Sequence, residues 1–218
     1  MWDAADERNY AMETASGSGQ IHDDEFAADI RRYAADPRFE TYLEIGTWNG
    51  LGSTRAFVDG FSTRKKYVFY SLECNADKCA DAQKLYERDQ NVHVLNEVIW
   101  NEEPADFYEV FPQCRTDPTA GRWHEIDMIN MKKCPLFLKR SGGVPEIFDV
   151  VLLDGGEFTT YHEFRALEDR CRILMLDDVN SDKCRLIRDH LRSNPDRWTV
   201  LKTSAVRNGY LIAERKKI

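Results

Sequence analysis

The chain has 218 residues, 42% of them hydrophobic and 11% aromatic, enough apolar material to fill one core, so a single domain is expected. Thirty basic against 38 acidic residues leave a formal charge of -8, which repels a phosphate backbone and disfavours a nucleic-acid partner, although a local basic groove is compatible with it. The longest apolar runs, Val150-Val151-Leu152-Leu153 and Ile173-Leu174-Met175-Leu176, are far too short to cross a bilayer and read as buried strands.

The acidic start, Met1-Trp2-Asp3-Ala4-Ala5-Asp6-Glu7, lacks the basic-then-apolar pattern of a secretory signal. Six cysteines are an even number, but their spacings form no disulfide framework, and a reducing, cytoplasmic setting is expected. Residues 1–20 are polar, end in Ser16-Gly17-Ser18-Gly19, and read as a flexible lead-in or as the frayed start of a piece of a longer multidomain protein. The domain itself is expected over residues 21–218.

Asp23-Asp24-Glu25 precedes Phe26, Ile30 and Tyr33, an apolar face at helical spacing with acids at its amino end, and Pro37 stops that helix. Strand and helix then alternate. Residues 41–45 read as a strand, 53–58 as the start of a helix, 66–72 as a strand, 77–88 as a helix and 92–95 as a strand. Residues 148–153 form a fourth strand, followed by a helix through Tyr161, Phe164 and Leu167, a fifth strand at 172–176 and a helix at 184–191. Two short strands, 198–201 and 210–213, close the chain around the turn Arg207-Asn208-Gly209. Strands separated by helices imply an α/β fold with a mostly parallel sheet covered on both faces, in which ligands bind beyond the carboxyl ends of the strands. Residues 99–146 break the rhythm. They are too apolar for a linker and read as an inserted cap over the crevice, a place to look for substrate selectivity. The basic run Arg64-Lys65-Lys66 reads as a solvated face.

Glu44-Ile45-Gly46-Thr47-Trp48-Asn49-Gly50-Leu51-Gly52 lies where the first strand gives way to a helix. Gly46 lets the backbone turn sharply and approach a ligand, Gly50 and Gly52 allow close contact at the helix start, and the free amides there suit a carboxylate. Glu73 directly follows the second strand, where a carboxylate can accept both ribose hydroxyls of a nucleoside cofactor. A nicotinamide cofactor is disfavoured, because bulky Trp48 stands where its pyrophosphate-binding turn needs the second glycine.

Asp154 ends the fourth strand, and Asp177 and Asp178 end the fifth. Three converging carboxylates require compensation, and Mg²⁺ or Mn²⁺ with oxygen ligands is one answer, Asn180 supplying another oxygen or positioning a water. The other reading is helix capping by Asp178 or Ser181.

The stretch from Glu44 to Gly52 resembles the first motif of class I S-adenosylmethionine-dependent methyltransferases, and Glu73 resembles their ribose-binding acid. That resemblance implies a Rossmann-like, seven-stranded, mostly parallel sheet of order 3-2-1-4-5-7-6 with an antiparallel seventh strand. It assigns Glu44, Gly46, Thr47, Trp48, Gly50, Gly52 and Glu73 to the cofactor site, with Asn96 and Glu97 near the adenine and Asp154 at the border of cofactor and metal.

Asp154-Gly155-Gly156 with Leu176-Asp177-Asp178 further resembles the metal-dependent O-methyltransferases that modify sugars of antibiotics, which implies Asp154, Asp177 and Asp178 as metal ligands. The chain departs at Gly156, where those enzymes carry the deprotonating aspartate, and has Glu157 where catechol-type relatives carry a lysine. His162, which titrates near neutrality, and Glu157 are therefore the candidate bases. The expected function is S-adenosylmethionine-dependent O-methylation of a sugar or glycan hydroxyl with a divalent metal; a catechol-like acceptor, or a non-catalytic cofactor-binding module of a larger protein, are the alternatives.

Overall fold

The computed structural model describes Ile21 and residues 23–216, so the expected lead-in at 1–20 and the last two residues of the expected domain lie outside the described residues. The first helix, α1 (Glu25–Ala35), is capped by Asp24, whose carboxylate accepts the Ala27 N–H at 2.8 Å, and buries Phe26, Ile30 and Ala34. The alternation that follows is β1 (Thr41–Ile45), α2 (Ser53–Phe61), β2 (Val68–Leu72), α3 (Ala76–Tyr86) and β3 (Val92–Leu95). After the inserted segment come β4 (Phe148–Leu153), α7 (Thr160–Leu167), β5 (Cys171–Leu176), α8 (Arg185–Ser193) and the hairpin β6 (Trp198–Ser204) and β7 (Tyr210–Arg215).

All seven strands form one sheet of order β3-β2-β1-β4-β5-β7-β6, the order the resemblance implied. Strands β1 to β5 pair in parallel, whereas β7 runs antiparallel to both β5 and β6. Side chains on a strand alternate faces, and the core divides accordingly. Tyr42, Phe69, Val150, Leu152, Ile173 and Met175 pack under α1, α2 and α3, while Leu43, Leu72, Val151, Leu153, Leu174 and Leu176 pack under α7 and α8. On the first face Tyr42, Phe57, Phe61 and Phe69 form an aromatic cluster with ring centroids 4.8–6.2 Å apart. Truncating one such ring to alanine costs on the order of 3–5 kcal/mol.

Arg64 is not part of a solvated face. Its guanidinium donates to the carbonyls of Ala34 at 2.9 Å and Phe39 at 2.6 Å and to the Tyr42 hydroxyl at 2.6 Å, which ties the end of α2 to β1.

The insertion carries three helices, α4 (Phe107–Val110), α5 (Gln113–Thr116) and α6 (Pro118–Met131), and one 3-10 turn (Phe137–Lys139). Asp117 caps α6 and Pro118 occupies its first turn, where a missing N–H costs nothing. The insertion is packed onto the domain at two places: Phe107 and Phe111 meet Phe158, and Met128 and Met131 meet Val98. A backbone pair between Val98 and the segment at Pro135 and Phe137 returns the chain to the sheet, with N···O distances of 3.1 and 2.9 Å. No helix among the described residues is long and apolar enough to cross a membrane.

Candidate functional site

The register of the parallel strands sets the site. Ile45 is level with Leu72 and with Leu153, and Leu153 is level with Leu176. The residues that follow each strand, Gly46, Glu73, Asp154 and Asp177, therefore line up along one edge of the sheet. Beyond that edge lies a cavity of about 370 Å³, the crevice in which open α/β sheets place ligands.

Gly46 has φ +97°, and a Cβ there would lie 2.0 Å from the carbonyl oxygen of Asp154. Only glycine allows β1 and β4 to stay paired while the chain turns away. Trp48 also has positive φ, +50°, a conformation that costs a bulky residue of order 1–3 kcal/mol. Its N–H donates to Glu73 Oε2 at 2.7 Å, while Glu73 Oε1 accepts the Asn75 N–H at 2.8 Å. Glu73 is buried, and burial pushes its carboxyl up against these hydrogen bonds. At the start of α2, Gly52 offers no side chain to cap the free amides.

Gly46, Thr47, Trp48, Gly52, Glu73 and Asp154 all line the cavity. Three other expected cofactor residues stand behind it. Glu44 is fully buried beneath the turn, where its Oε2 accepts from Thr54 Oγ1 at 2.7 Å and Ser71 Oγ at 2.5 Å. Burial, opposed by the neighbouring hydroxyls, moves its carboxyl up to about 7. Gly50 faces Ala82 and Tyr86 of α3. Asn96 uses its amide to bridge the carbonyls of Glu73 at 2.7 Å and Cys74 at 3.1 Å, and it is Glu97 and Val98 that reach the cavity.

Asp154, Asp177 and Asp178 converge as expected, with one oxygen of each within 4.8 Å of the others. Oxygen donors so grouped suit Mg²⁺ or Mn²⁺ in kind. The chain, however, already supplies cations. Lys183 Nζ donates to Asp154 Oδ1 at 2.8 Å and Asp178 Oδ2 at 2.7 Å, and Arg207 Nη2 donates to Asp177 Oδ1 at 2.6 Å. Burial disfavours the Lys183 charge, yet Asp154 and Asp178 outweigh it and hold the ammonium well above its ordinary range. Within this cluster of aspartates, Asp177 Oδ2 is left buried without a partner. Burial, with Asp154 and Asp178 alongside, pushes the Asp177 carboxyl up, and the Lys183 ammonium opposes that. With the ammonium seated between two of its three ligands, the cluster as folded does not fit a divalent ion. Of the capping reading, Asp178 falls away because its carboxylate serves Lys183, whereas Ser181 Oγ accepts the Lys183 N–H at 3.3 Å in the turn before α8, which itself starts at Arg185 with no side-chain cap from Cys184.

The two glycines after Asp154 leave room that other residues use. A Cβ on Gly155 would lie 2.8 Å from Glu163 Oε2, and one on Gly156 would lie 2.2 Å from Asp127 Oδ2. Asp127 from α6 and Glu163 from α7 both line the cavity. Burial, with Glu73 nearby, moves Asp127 up to about 7, and burial, with Asp127 and Glu73 nearby, moves Glu163 up to about 8.

The candidate bases read from sequence lie elsewhere. His162 is buried among Trp100, Phe107 and Phe111, its Nε2 is 3.3 Å from Asp106 Oδ1, and burial lowers its pKa. Glu157 Oε1 accepts the Lys183 N–H at 3.3 Å. Neither residue is among those lining the cavity.

No family model and no curated protein matches the chain. Solved structures do. An O-methyltransferase of Bacillus cereus in complex with SAH is 15% identical, with 99% of this chain and 92% of that one aligned at a TM-score of 0.56. The SAH-bound methyltransferase PaMTH1 of Podospora anserina is 13% identical, over 100% and 98% of the two chains, at 0.54. A Staphylococcus aureus protein described as a caffeoyl-CoA O-methyltransferase is 12% identical, over 99% and 93%, at 0.56. The fold is that of the class I S-adenosylmethionine-dependent methyltransferases.

Proposed function

We propose that this chain is an S-adenosylmethionine-dependent O-methyltransferase whose acceptor is a sugar or glycan hydroxyl. The observation that carries this reading is that the Gly46 turn, buried Glu73 and the Asp154–Lys183 pair border one cavity. In this reading Glu73 accepts from the ribose hydroxyls, and the uncapped amides at the start of α2 receive the cofactor's carboxylate. Lys183 takes the place that Mg²⁺ or Mn²⁺ held in the sequence-based expectation: a fixed cation beside the acceptor oxygen favours the alkoxide-like charge that develops as the methyl group is transferred. A carbohydrate acceptor is favoured over an apolar phenol because Asp127 and Glu163 offer carboxylates that accept hydrogen bonds from hydroxyls on the same cavity wall.

The test is methyl transfer from labelled S-adenosylmethionine to a panel of simple glycosides and catechols, with a chelator present in one arm. Turnover on glycosides supports the reading, and turnover confined to catechols replaces the acceptor class. Cofactor binding by calorimetry with no transfer to any acceptor would sink the enzymatic reading in favour of a binding module.

A further inference from the structure

The cap brings a carboxylate to a place the local chain leaves empty. Gly156 lies two residues past Asp154 on the cavity wall, and its own side-chain position is taken by Asp127 Oδ2, 2.2 Å from where a Cβ would stand. Among the described residues the Asp127 carboxylate makes no hydrogen bond and no ion pair. Asp127 is half-buried, and its neighbour Glu163, 3% exposed, presents Oε2 to the same wall, buried and without a partner. Such atoms cost free energy unless something else satisfies them. The groups that face Asp127 electrostatically are Glu73 after β2, Glu157 and Glu163 beyond β4, and Lys183 before α8.

We infer that Asp127 is the general base of this site, delivered by the cap helix α6 into the gap at Gly156. The inference rests on the O-methyltransferase reading above. The acceptor O–H gives its proton to the Asp127 carboxylate while the oxygen lone pair attacks the sulfonium methyl carbon. The S–CH₃ bond breaks, its electron pair stays on sulfur, and the products are the methyl ether, the neutral thioether and a protonated Asp127. Burial holds this carboxyl near 7, so it takes up a proton near neutrality more readily than an exposed aspartate does. The cap thereby does more than select the acceptor: catalysis requires α6 to be seated.

Asp127→Asn keeps the shape and removes the base. Its turnover on the acceptor that the wild type uses is expected to fall about 10²–10⁴-fold with cofactor affinity nearly unchanged. A merely structural role is separated by relocation: Asp127→Ala with Gly156→Asp puts the carboxylate on the opposite wall of the same gap and is expected to recover at least tenfold over Asp127→Ala alone. Independently of any acceptor, infrared difference spectra of the cofactor-bound protein between pH 5 and 9 should show a carboxyl band titrating near neutrality that Asp127→Asn removes. Full turnover in Asp127→Asn would overturn the assignment while leaving the methyltransferase reading intact. Infrared spectra identical in wild type and variant would overturn it even if no acceptor were found.

Discussion

Lys183 Nζ lies 2.8 Å from Asp154 Oδ1, a contact that joins the loop before α8 to the end of β4 and sets an ammonium inside a cluster of aspartates. Removing one partner of a buried pair leaves uncompensated charge, at a cost of about 3–5 kcal/mol. Lys183 and Asp154 are partly buried, with side chains 15% and 21% exposed, so Lys183→Ala should lose part of that stability in the presence of chelator. It should also vacate a three-carboxylate site, so millimolar Mn²⁺ should restore part of the loss by binding the folded state. Wild-type protein should show no such metal response. Thermal unfolding of both proteins in EDTA and in Mn²⁺ measures this, and equal stabilisation of the two by Mn²⁺ would refute the role given to Lys183.

Glu73 is tied on one oxygen to the Trp48 N–H and on the other to the Asn75 N–H, which fixes its carboxylate at the cavity wall with lone pairs to spare. Glu73→Ala removes the anchor of the Trp48 turn and, on the proposed reading, the ribose acceptor. S-adenosylmethionine binding should weaken by roughly 1–3 kcal/mol, the scale for hydrogen bonds to a charged group. Isothermal calorimetry returning the wild-type affinity would exclude Glu73 from the cofactor site.

Strands β1, β3 and β4 have in the structure the limits read from sequence, because each is a short, largely apolar run directly followed by a glycine or a polar residue. The Gly46 turn and Glu73 were legible for a related reason: each directly follows such a strand, so local sequence places it at the cavity. Lys183 and Arg207 were not. Their partners Asp154 and Asp177 lie 29 and 30 residues away on other elements, and no periodicity within α8 or the hairpin turn marks either residue as a counter-ion. Asp127 is hidden for the same reason, as one polar residue on a cap helix whose packing the sequence pattern does not reveal. His162 misled because a histidine near a strand end looks chemically apt, whereas the fold turns it into the aromatic cluster beneath the cap. Glu44 misled differently: it belongs to the motif, yet it points down into the hydroxyls of Thr54 and Ser71.

The buried Glu44 carboxyl carries a pH signature of its own. Its folded pKa, about 7, lies above the ordinary 4.5 because burial penalises the charged form. The unfolded chain therefore releases this proton first as pH rises. The contribution to stability is fully present below about 4.5 and is lost as pH climbs through 7, by on the order of 3 kcal/mol. Glu44→Gln keeps a carbonyl acceptor for the two hydroxyls and has no proton to lose. The variant should match wild type near pH 4.5 and exceed it in stability at pH 8. Urea denaturation at the two pH values compares them, and a difference that does not change with pH would contradict this account.

Gly46 and Gly142 share φ +97° and differ in surroundings, which allows strain and clash to be separated. A methyl group on Gly142 meets nothing within 4 Å, so Gly142→Ala should cost only the backbone penalty of a left-handed residue, about 1–2 kcal/mol. The same change at Gly46 carries that penalty and also drives the methyl to 2.0 Å from the Asp154 carbonyl oxygen, a backbone atom that cannot rotate aside. Relief requires β1 and β4 to part at the hydrogen bond from the Asp154 N–H to the Ile45 carbonyl, now 2.9 Å. That movement would shift Asp154, and with it Lys183, relative to the cofactor turn. Gly46→Ala should thus be less stable than Gly142→Ala by at least about 2 kcal/mol, within the range for overpacked sites. It should also lose S-adenosylmethionine affinity, which Gly142→Ala retains. Chemical denaturation and calorimetry on the two variants decide the point: equal stability would show that the turn yields without disturbing β4, and unchanged cofactor affinity in Gly46→Ala would remove the turn from the binding site.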